Sequence, residues 1–157
     1  MNMSFSEKSA WFSFVLTLAV WGKYVFEIFQ MGGDSLSAEE QRRLALSMMA
    51  YATIYMIIAE TVFHIIVGLA NPNDAKLVGD ERDQTIASKA TSPAYNILFV
   101  GVVITIVHLL VFEHFPDIPT IASIQIPYLA AHLLIVFALL SELYRFGYMI
   151  WCYRKEA

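Results

Sequence analysis

Four long apolar stretches, separated by short polar segments, run along the chain. They cover about residues 10–31, 44–70, 94–112 and 121–153. A helix of ~20 apolar residues is long enough to cross the hydrocarbon core of a bilayer. The stretches do not alternate polar and apolar residues, as the strands of a membrane β-barrel do. The pattern therefore predicts an all-α, polytopic membrane four-helix bundle that forms a single domain over residues 1–157.

Helix-breaking residues stand between these stretches. Gly32 and Gly33 follow the first stretch, and Asn71-Pro72 follows the second, as expected where a helix ends in a turn. Pro127 falls inside the fourth stretch. Because proline is tolerated in the first turn of a helix, we expect the membrane-crossing part of this stretch to begin near Tyr128.

The composition excludes several classes of protein. Hydrophobic residues make up 58% of the 157 residues and charged residues only 15%, where soluble domains average about 25% charged residues. A soluble monomer of this size has too much surface relative to its volume to bury so many apolar side chains. The net charge of −4 also argues against a basic nucleic-acid-binding surface, so membrane lipids are the expected surroundings and nucleic acid is not an expected partner.

The distribution of basic residues predicts the orientation in the membrane. Counting the segments before, between and after the stretches, one side of the membrane receives six basic residues: Lys8, Lys76, Arg82, Lys89, Arg154 and Lys155. The other side receives Arg42 and Arg43. Basic residues collect on the cytoplasmic side, so both termini and loop 71–93 are predicted to be cytoplasmic.

Ionisable side chains inside the apolar stretches are candidate functional residues, since each costs roughly 2.5–3.5 kcal/mol to insert into a bilayer. Their positions along antiparallel spans predict two polar layers. The outer layer contains Lys23, Glu27, His108 and His132, and the inner layer contains Glu60, His64, Glu142 and Arg145. Several of these residues are three or four positions apart, which places oppositely charged groups on one helix face.

Three interpretations of these layers remain open. The pairs can hold helices together without any activity. His108 and His132 lie at similar depth and are a candidate pair of axial ligands to a haem, although no cofactor is predicted. Glu60, His64, Glu142 and Arg145 can instead line a path for a proton or a solute.

The loop before the third stretch contains an acidic motif, Asp80-Glu81-Arg82-Asp83. Acidic residues in the first turn and Lys89 near the end predict a short amphipathic cytoplasmic helix, which Pro93 is expected to break before the third span. We also expect Arg82 and the motif acids to pair with Glu142 and Arg145, closing the motif onto the inner end of the bundle. Exposure of Arg82 to solvent is the alternative to this pairing. For Asp80, Glu81 and Asp83, binding of a divalent cation is the alternative to capping the start of the helix.

The motif also carries a resemblance. The run Asp80 to Asp83 with Ala94-Tyr95, the opening Ser6–Trp11, and the closing Glu142–Gly147 and Tyr153–Lys155 resemble small prokaryotic predicted membrane proteins of unknown function. The resemblance implies a multi-pass protein of the bacterial inner membrane and assigns no activity.

No motif typical of an enzyme active site is present. The leading hypothesis is therefore a non-enzymatic regulatory or accessory subunit that acts through its cytoplasmic loop, with a protein partner at that face or as a homo-oligomer. The alternatives are a haem- or metal-binding electron-transfer protein and a small proton or solute transporter.

Overall fold

A computed structural model describes residues 3–31, 36–70, 81–114 and 126–155. Each range consists almost entirely of one helix: α1 (Phe5–Met31), α2 (Ala38–Ala70), α3 (Glu81–His114) and α4 (Leu129–Lys155). All four are long and apolar enough to cross a membrane. The described residues therefore confirm the all-α membrane fold class.

Serine side chains cap the N-terminal ends of the first two helices. The Ser4 hydroxyl accepts a hydrogen bond from the Glu7 amide at 3.1 Å. At the start of α2, the Ser37 amide donates to the Glu40 carboxylate at 2.9 Å, while the Glu40 amide faces the Ser37 hydroxyl at 3.4 Å. This reciprocal arrangement is a capping box, which satisfies amides that lack partners at a helix start.

The helices pack in the spatial order α2, α1, α4, α3, so that α1 and α4 are central. The start of α1, the start of α3 and the end of α4 lie together, because Asp83 contacts both Ser6 and Tyr153. We call this the basal end of the bundle. The first helix therefore begins at the end of the bundle where the last helix finishes, as an even number of spans requires.

Few apolar side chains are buried, and many of the large ones are exposed. One buried cluster joins α1 to α2 near the opposite end and consists of Tyr24, Ile28, Met31, Ala45 and Ala52. A second, at the basal end, consists of Ile86, Cys152 and Tyr153. Rows of isoleucine, valine and leucine on α2 and α3 remain exposed, as expected for helices whose outer faces contact lipid tails.

The contact between α3 and α4 is the most extensive in the bundle. Gly101 lies directly against the Phe137 side chain. Nearer the basal end, the buried Ser141 hydroxyl donates to the Ala94 carbonyl at 2.7 Å. A small residue and an interhelical hydrogen bond both allow close approach of two backbones, which is how helices associate in lipid.

The predicted break at Pro93 is wrong. The expected short helix is present, but it continues through Pro93 into the third span as the single helix α3. Ile86 and Ala90 before the proline and Ala94 after it are all buried, and Ser141 of α4 binds the Ala94 carbonyl. Packing against α4 thus holds the helix on both sides of the proline and overrides its local effect, as neighbouring helices do in membrane proteins.

Pro127 precedes α4 instead of occupying its first turn. It lies in a turn with Tyr128, whose φ of 60° is unusual for a residue with a side chain. The Tyr128 carbonyl accepts from the Ala131 amide at 2.8 Å, so α4 begins at Leu129. The predicted start of the fourth span near residue 121 falls outside the described residues.

Candidate functional site

The three pairs of oppositely charged neighbours that the spacing predicts are present on their helices. Lys23 lies 3.5 Å from Glu27 on α1, and His64 lies 3.2 Å from Glu60 on α2. On α4, the Arg145 Nε donates to the Glu142 carboxylate at 3.0 Å. Each pair follows from the helical repeat, which brings residues three or four positions apart together.

Two of these pairs face one inner cavity. The inner cavity has a volume of about 800 Å³ and lies among α1, α2, α4 and the first turns of α3. Glu60 and His64 line it from α2, and Glu142 and Arg145 line it from α4. The structure therefore places the four residues of the predicted inner layer around a common space.

A row of hydroxyl side chains on α1 forms another wall of the inner cavity, which the sequence reasoning missed. The row consists of Ser6, Ser9, Ser13 and Thr17. Their spacing of three, four and four residues follows one helix face, and this spacing was the available signal. The Ser13 hydroxyl donates to Glu60 at 3.0 Å, so the row contacts the acidic wall directly.

Within the described ranges, Thr17 has the hydroxyl of this row that is buried without a hydrogen-bond partner. Its side chain is only 3% exposed, and among the residues that the structure describes none accepts or donates a hydrogen bond at its Oγ1. A buried hydroxyl without a partner costs free energy. Thr17 lines the inner cavity as a residue, but its hydroxyl oxygen is enclosed by protein atoms and exposes almost no surface.

Asp83 is the part of the acidic motif that reaches the inner cavity. Its two carboxylate oxygens accept hydrogen bonds from the Ser6 hydroxyl of α1 and from the Tyr153 hydroxyl of α4, the latter at 3.0 Å. Asp83 thereby joins three helices at the basal end. Neither Ser6 nor Tyr153 was identified from the sequence as its partner.

The rest of the motif lies elsewhere. Glu81 and Arg82 are exposed, and Asp80 is outside the described residues. The Arg82 guanidinium carbon lies 5.9 Å from the centre of the Tyr153 ring, facing a different cleft from the one that contains Glu142 and Arg145. The predicted pairing of Arg82 with these two residues is therefore wrong, and Asp83 closes the motif onto the bundle instead.

A long-range ion pair connects the first helix to the last. The Arg154 Nε lies 3.0 Å from the Glu7 Oε1, and the Glu7 side chain is buried. The buried carboxylate has its countercharge in Arg154, which offsets the cost of removing it from water. This pair fixes the start of α1 to the end of α4.

The His132 side chain, in the outer layer, makes two hydrogen bonds. A carbonyl can only accept, so the His132 Nε2 donates to the Pro127 carbonyl at 2.9 Å. In the neutral ring the Nδ1 is then an acceptor, and the Tyr24 hydroxyl donates to it. Both ring nitrogens are therefore occupied, and axial ligation of a haem by His132 would break one of these hydrogen bonds.

The other residues of the outer layer differ from His132 in their surroundings. His108 of α3 is half-buried, whereas His132 is only 4% exposed. Lys23 and Glu27 line a smaller cleft between α1 and α2 together with Tyr24. Within the four described ranges, no group of three or more His, Cys, Asp or Glu side chains is arranged to hold a metal ion.

The charges around the inner cavity do not balance. Three carboxylates line it, from Glu60, Asp83 and Glu142, together with the Arg145 guanidinium and the His64 imidazole beside Glu60, so the carboxylates outnumber the basic groups. Apolar side chains, among them Met56, Ile135 and Leu139, supply much of the remaining surface. Small-molecule sites typically have an apolar wall with a few polar groups and a volume of roughly 300–1,000 Å³, and the inner cavity has these properties.

Comparison with known proteins agrees with the membrane architecture. A family described as "Predicted membrane protein (DUF2178)" matches residues 12–155, which include all four helices apart from the first turns of α1. The chain belongs to the DUF2178 family. No curated protein matches the chain, and no solved structure matches it. The family supports a membrane location and leaves the activity open.

Proposed function

We propose that this DUF2178 protein binds a small amphipathic organic cation in its inner cavity, as the binding step of a small-solute transporter. The observation that carries the proposal is the excess of carboxylates around a largely apolar space of about 800 Å³. In such surroundings, a charge interacts more strongly with neighbouring charges than it does in water. A positively charged solute with an apolar body therefore matches the cavity in both respects.

Hydrogen-bonding groups inside the cavity support the same proposal. Thr17 has a buried hydroxyl with no partner in the described part of the chain, and Ser13 holds the Glu60 carboxylate in place. Ser6 and Ser9 of the same row also line the cavity, so hydroxyl groups border the space in which we propose that the solute binds. The proposed role requires no chemistry on the solute, in line with the absence of a recognised catalytic motif.

The contacts of the acidic motif favour the inner cavity over a loop that recruits a protein partner. Asp83 is occupied by Ser6 and Tyr153, and Ile86 and Ala90 on the same segment are buried in the bundle. The segment is therefore a helix fixed to the bundle beside the inner cavity, and its outer face, which includes Glu81, Thr85 and Lys89, stays exposed. We therefore favour solute binding over the regulatory hypothesis.

The test compares two ions of the same shape and opposite charge. Tetraphenylphosphonium and tetraphenylborate are titrated into the full chain in detergent, with Trp11→Phe and Trp151→Phe substitutions so that emission reports Trp21, which lines the cavity. We expect saturable binding of the cation and at least tenfold weaker binding of the anion. Equal affinities, or partitioning no different from that into empty micelles, would overturn the proposal.

A matched pair of variants locates the site. Glu60→Gln removes a carboxylate from the inner cavity. Glu27→Gln removes a carboxylate that lies outside this cavity, near the end of α1 that is far from the basal end. We expect about tenfold weaker cation binding for Glu60→Gln, equivalent to about 1.4 kcal/mol, and an unchanged affinity for Glu27→Gln. A loss of the same size in both variants would place the cation somewhere else.

A further inference from the structure

The two ion pairs of the inner cavity differ in how they respond to pH. The His64 Nε2 lies 3.2 Å from the Glu60 Oε2, and both residues line the cavity. Histidine ordinarily changes its charge between pH 5 and 8, whereas the arginine of the Glu142–Arg145 pair stays charged. The charge around the cavity therefore changes by one unit when His64 gains or loses a proton.

Two side chains contact the same oxygen of Glu60. The Ser13 hydroxyl donates to the Glu60 Oε2 at 3.0 Å, and this atom also faces His64. Ser13 does not titrate, so it holds the carboxylate in place whether His64 is charged or neutral. A protonated His64 supplies the positive charge beside this carboxylate, and an organic cation in the cavity competes with it for the same role.

Other ionisable groups reach the inner cavity from α3 and α4. Asp83 contributes from α3, and Glu142, Arg145 and Tyr153 contribute from α4. Among the described residues of α1 that line the cavity, none is ionisable. Carboxylates, phenols and guanidinium groups ordinarily titrate outside the range from pH 5 to 8. Proton exchange near neutral pH therefore centres on His64.

His64 lies toward the basal end of the bundle. The next residue in the chain direction of α1 shows this, because Phe63 stacks on Phe12 in the first turns of α1 with ring centres 3.5 Å apart. α2 ends at Ala70, which is about 9 Å further along the helix than His64. The His64 side chain is 47% exposed. A proton on His64 thus has a short route to the solution at this end.

We propose that the inner cavity exchanges a proton on His64 for the organic cation. The inference rests on the proposed function, because it takes the organic cation as the solute. When the cation enters, the N–H bond at His64 breaks, its electron pair stays on the ring nitrogen and the proton passes to the solution. In a transporter, this exchange couples movement of the cation to movement of protons in the opposite direction.

Binding of tetraphenylphosphonium to the full chain in detergent tests the exchange. Because linkage is reciprocal, a cation that displaces a proton binds more tightly when fewer protons are bound. We expect about tenfold tighter binding at pH 8 than at pH 5.5. In weakly buffered solution near pH 6.5, a pH-indicator dye should report protons released on binding of the cation and none released by tetraphenylborate.

Two histidine variants assign the proton. His64→Gln keeps a neutral hydrogen-bond donor beside Glu60 but removes the ring that titrates. It should bind the cation equally at both pH values and release no proton. His114→Gln is the matched control, because His114 is exposed, lies 3.0 Å from the Leu110 carbonyl of its own helix and does not line the cavity. This variant should keep both the pH dependence and the proton release.

Failure of the exchange is distinguishable from failure of the proposed function. Equal affinities of the unsubstituted protein at the two pH values would overturn the exchange and leave cation binding in place. Proton release that persists in His64→Gln would also overturn it. Absence of cation binding at either pH would overturn the proposed function and this inference together. The unsubstituted protein decides the first and last outcomes, so neither depends on how the variants fold.

Discussion

Gly101 of α3 lies so close to Phe137 of α4 that a β-carbon at position 101 would overlap the phenylalanine side chain. The overlap involves the Phe137 Cβ as well as the ring, so rotation of the ring does not relieve it. The glycine is therefore a requirement of the α3–α4 contact, the most extensive in the bundle.

Gly101→Ala is expected to destabilise the protein by about 1–3 kcal/mol, the usual cost of forcing extra volume into a packed contact. Gly22→Ala is the matched control, because a β-carbon at position 22 meets no atom within 4 Å, and we expect no loss of stability from it. Thermal unfolding in one detergent measures both variants. Equal midpoints for the two would show that α3 and α4 are not packed at Gly101.

The Tyr153–Asp83 hydrogen bond is expected to hold the start of α3 to the end of α4. A double-mutant cycle between Tyr153→Phe and Asp83→Ala should give a coupling of about 1–2 kcal/mol, since hydrogen bonds to a charged group are stronger than average. Tyr144→Phe, on the same helix and partly exposed, provides the control and should not couple to Asp83→Ala. If the effects of Tyr153→Phe and Asp83→Ala on stability add within about 0.5 kcal/mol, the hydrogen bond does not stabilise the contact between α3 and α4.

The orientation of the helices predicts opposite labelling of two exposed positions. Ser37 precedes α2, and Thr85 lies in the second turn of α3, so one transmembrane passage separates them. In a Cys152→Ser background, a membrane-impermeant maleimide should react with Ser37→Cys in intact cells and with Thr85→Cys only after permeabilisation. Protection of Ser37→Cys in intact cells would contradict the cytoplasmic placement of the termini that the basic residues predict.

The spans and the short-range ion pairs follow from the sequence because both depend on local geometry. A run of apolar residues is sufficient to predict a membrane helix. The three-residue spacing of Glu142 and Arg145 and the four-residue spacing of Glu60 and His64 are sufficient to predict their contacts on a helix. No knowledge of neighbouring helices is needed for these inferences.

The partners of Asp83 depend on which helices are neighbours, so the sequence did not reveal them. Ser6 is 77 residues away and Tyr153 is 70 residues away, and only the order of the helices in the bundle brings them together. The same is true of Pro93, whose local preference to end a helix is overridden by the burial of Ala90 and Ala94. The hydroxyl row on α1 was visible as a spacing, but its role depends on the acidic wall across the cavity.

The central claim is that the negative charge around the inner cavity selects a cation. The most direct test neutralises the two partners of the Glu142–Arg145 ion pair separately, because the two substitutions change the charge of the cavity in opposite directions. Glu142→Gln removes a negative charge from the lining and Arg145→Gln removes the guanidinium that opposes it. The measurement is the ratio of tetraphenylphosphonium to tetraphenylborate affinity in each variant, relative to the unsubstituted protein. We predict that Glu142→Gln lowers this ratio and Arg145→Gln raises it, each by about tenfold or ~1.4 kcal/mol. A ratio that moves in the same direction in both variants, or in neither, would contradict the account.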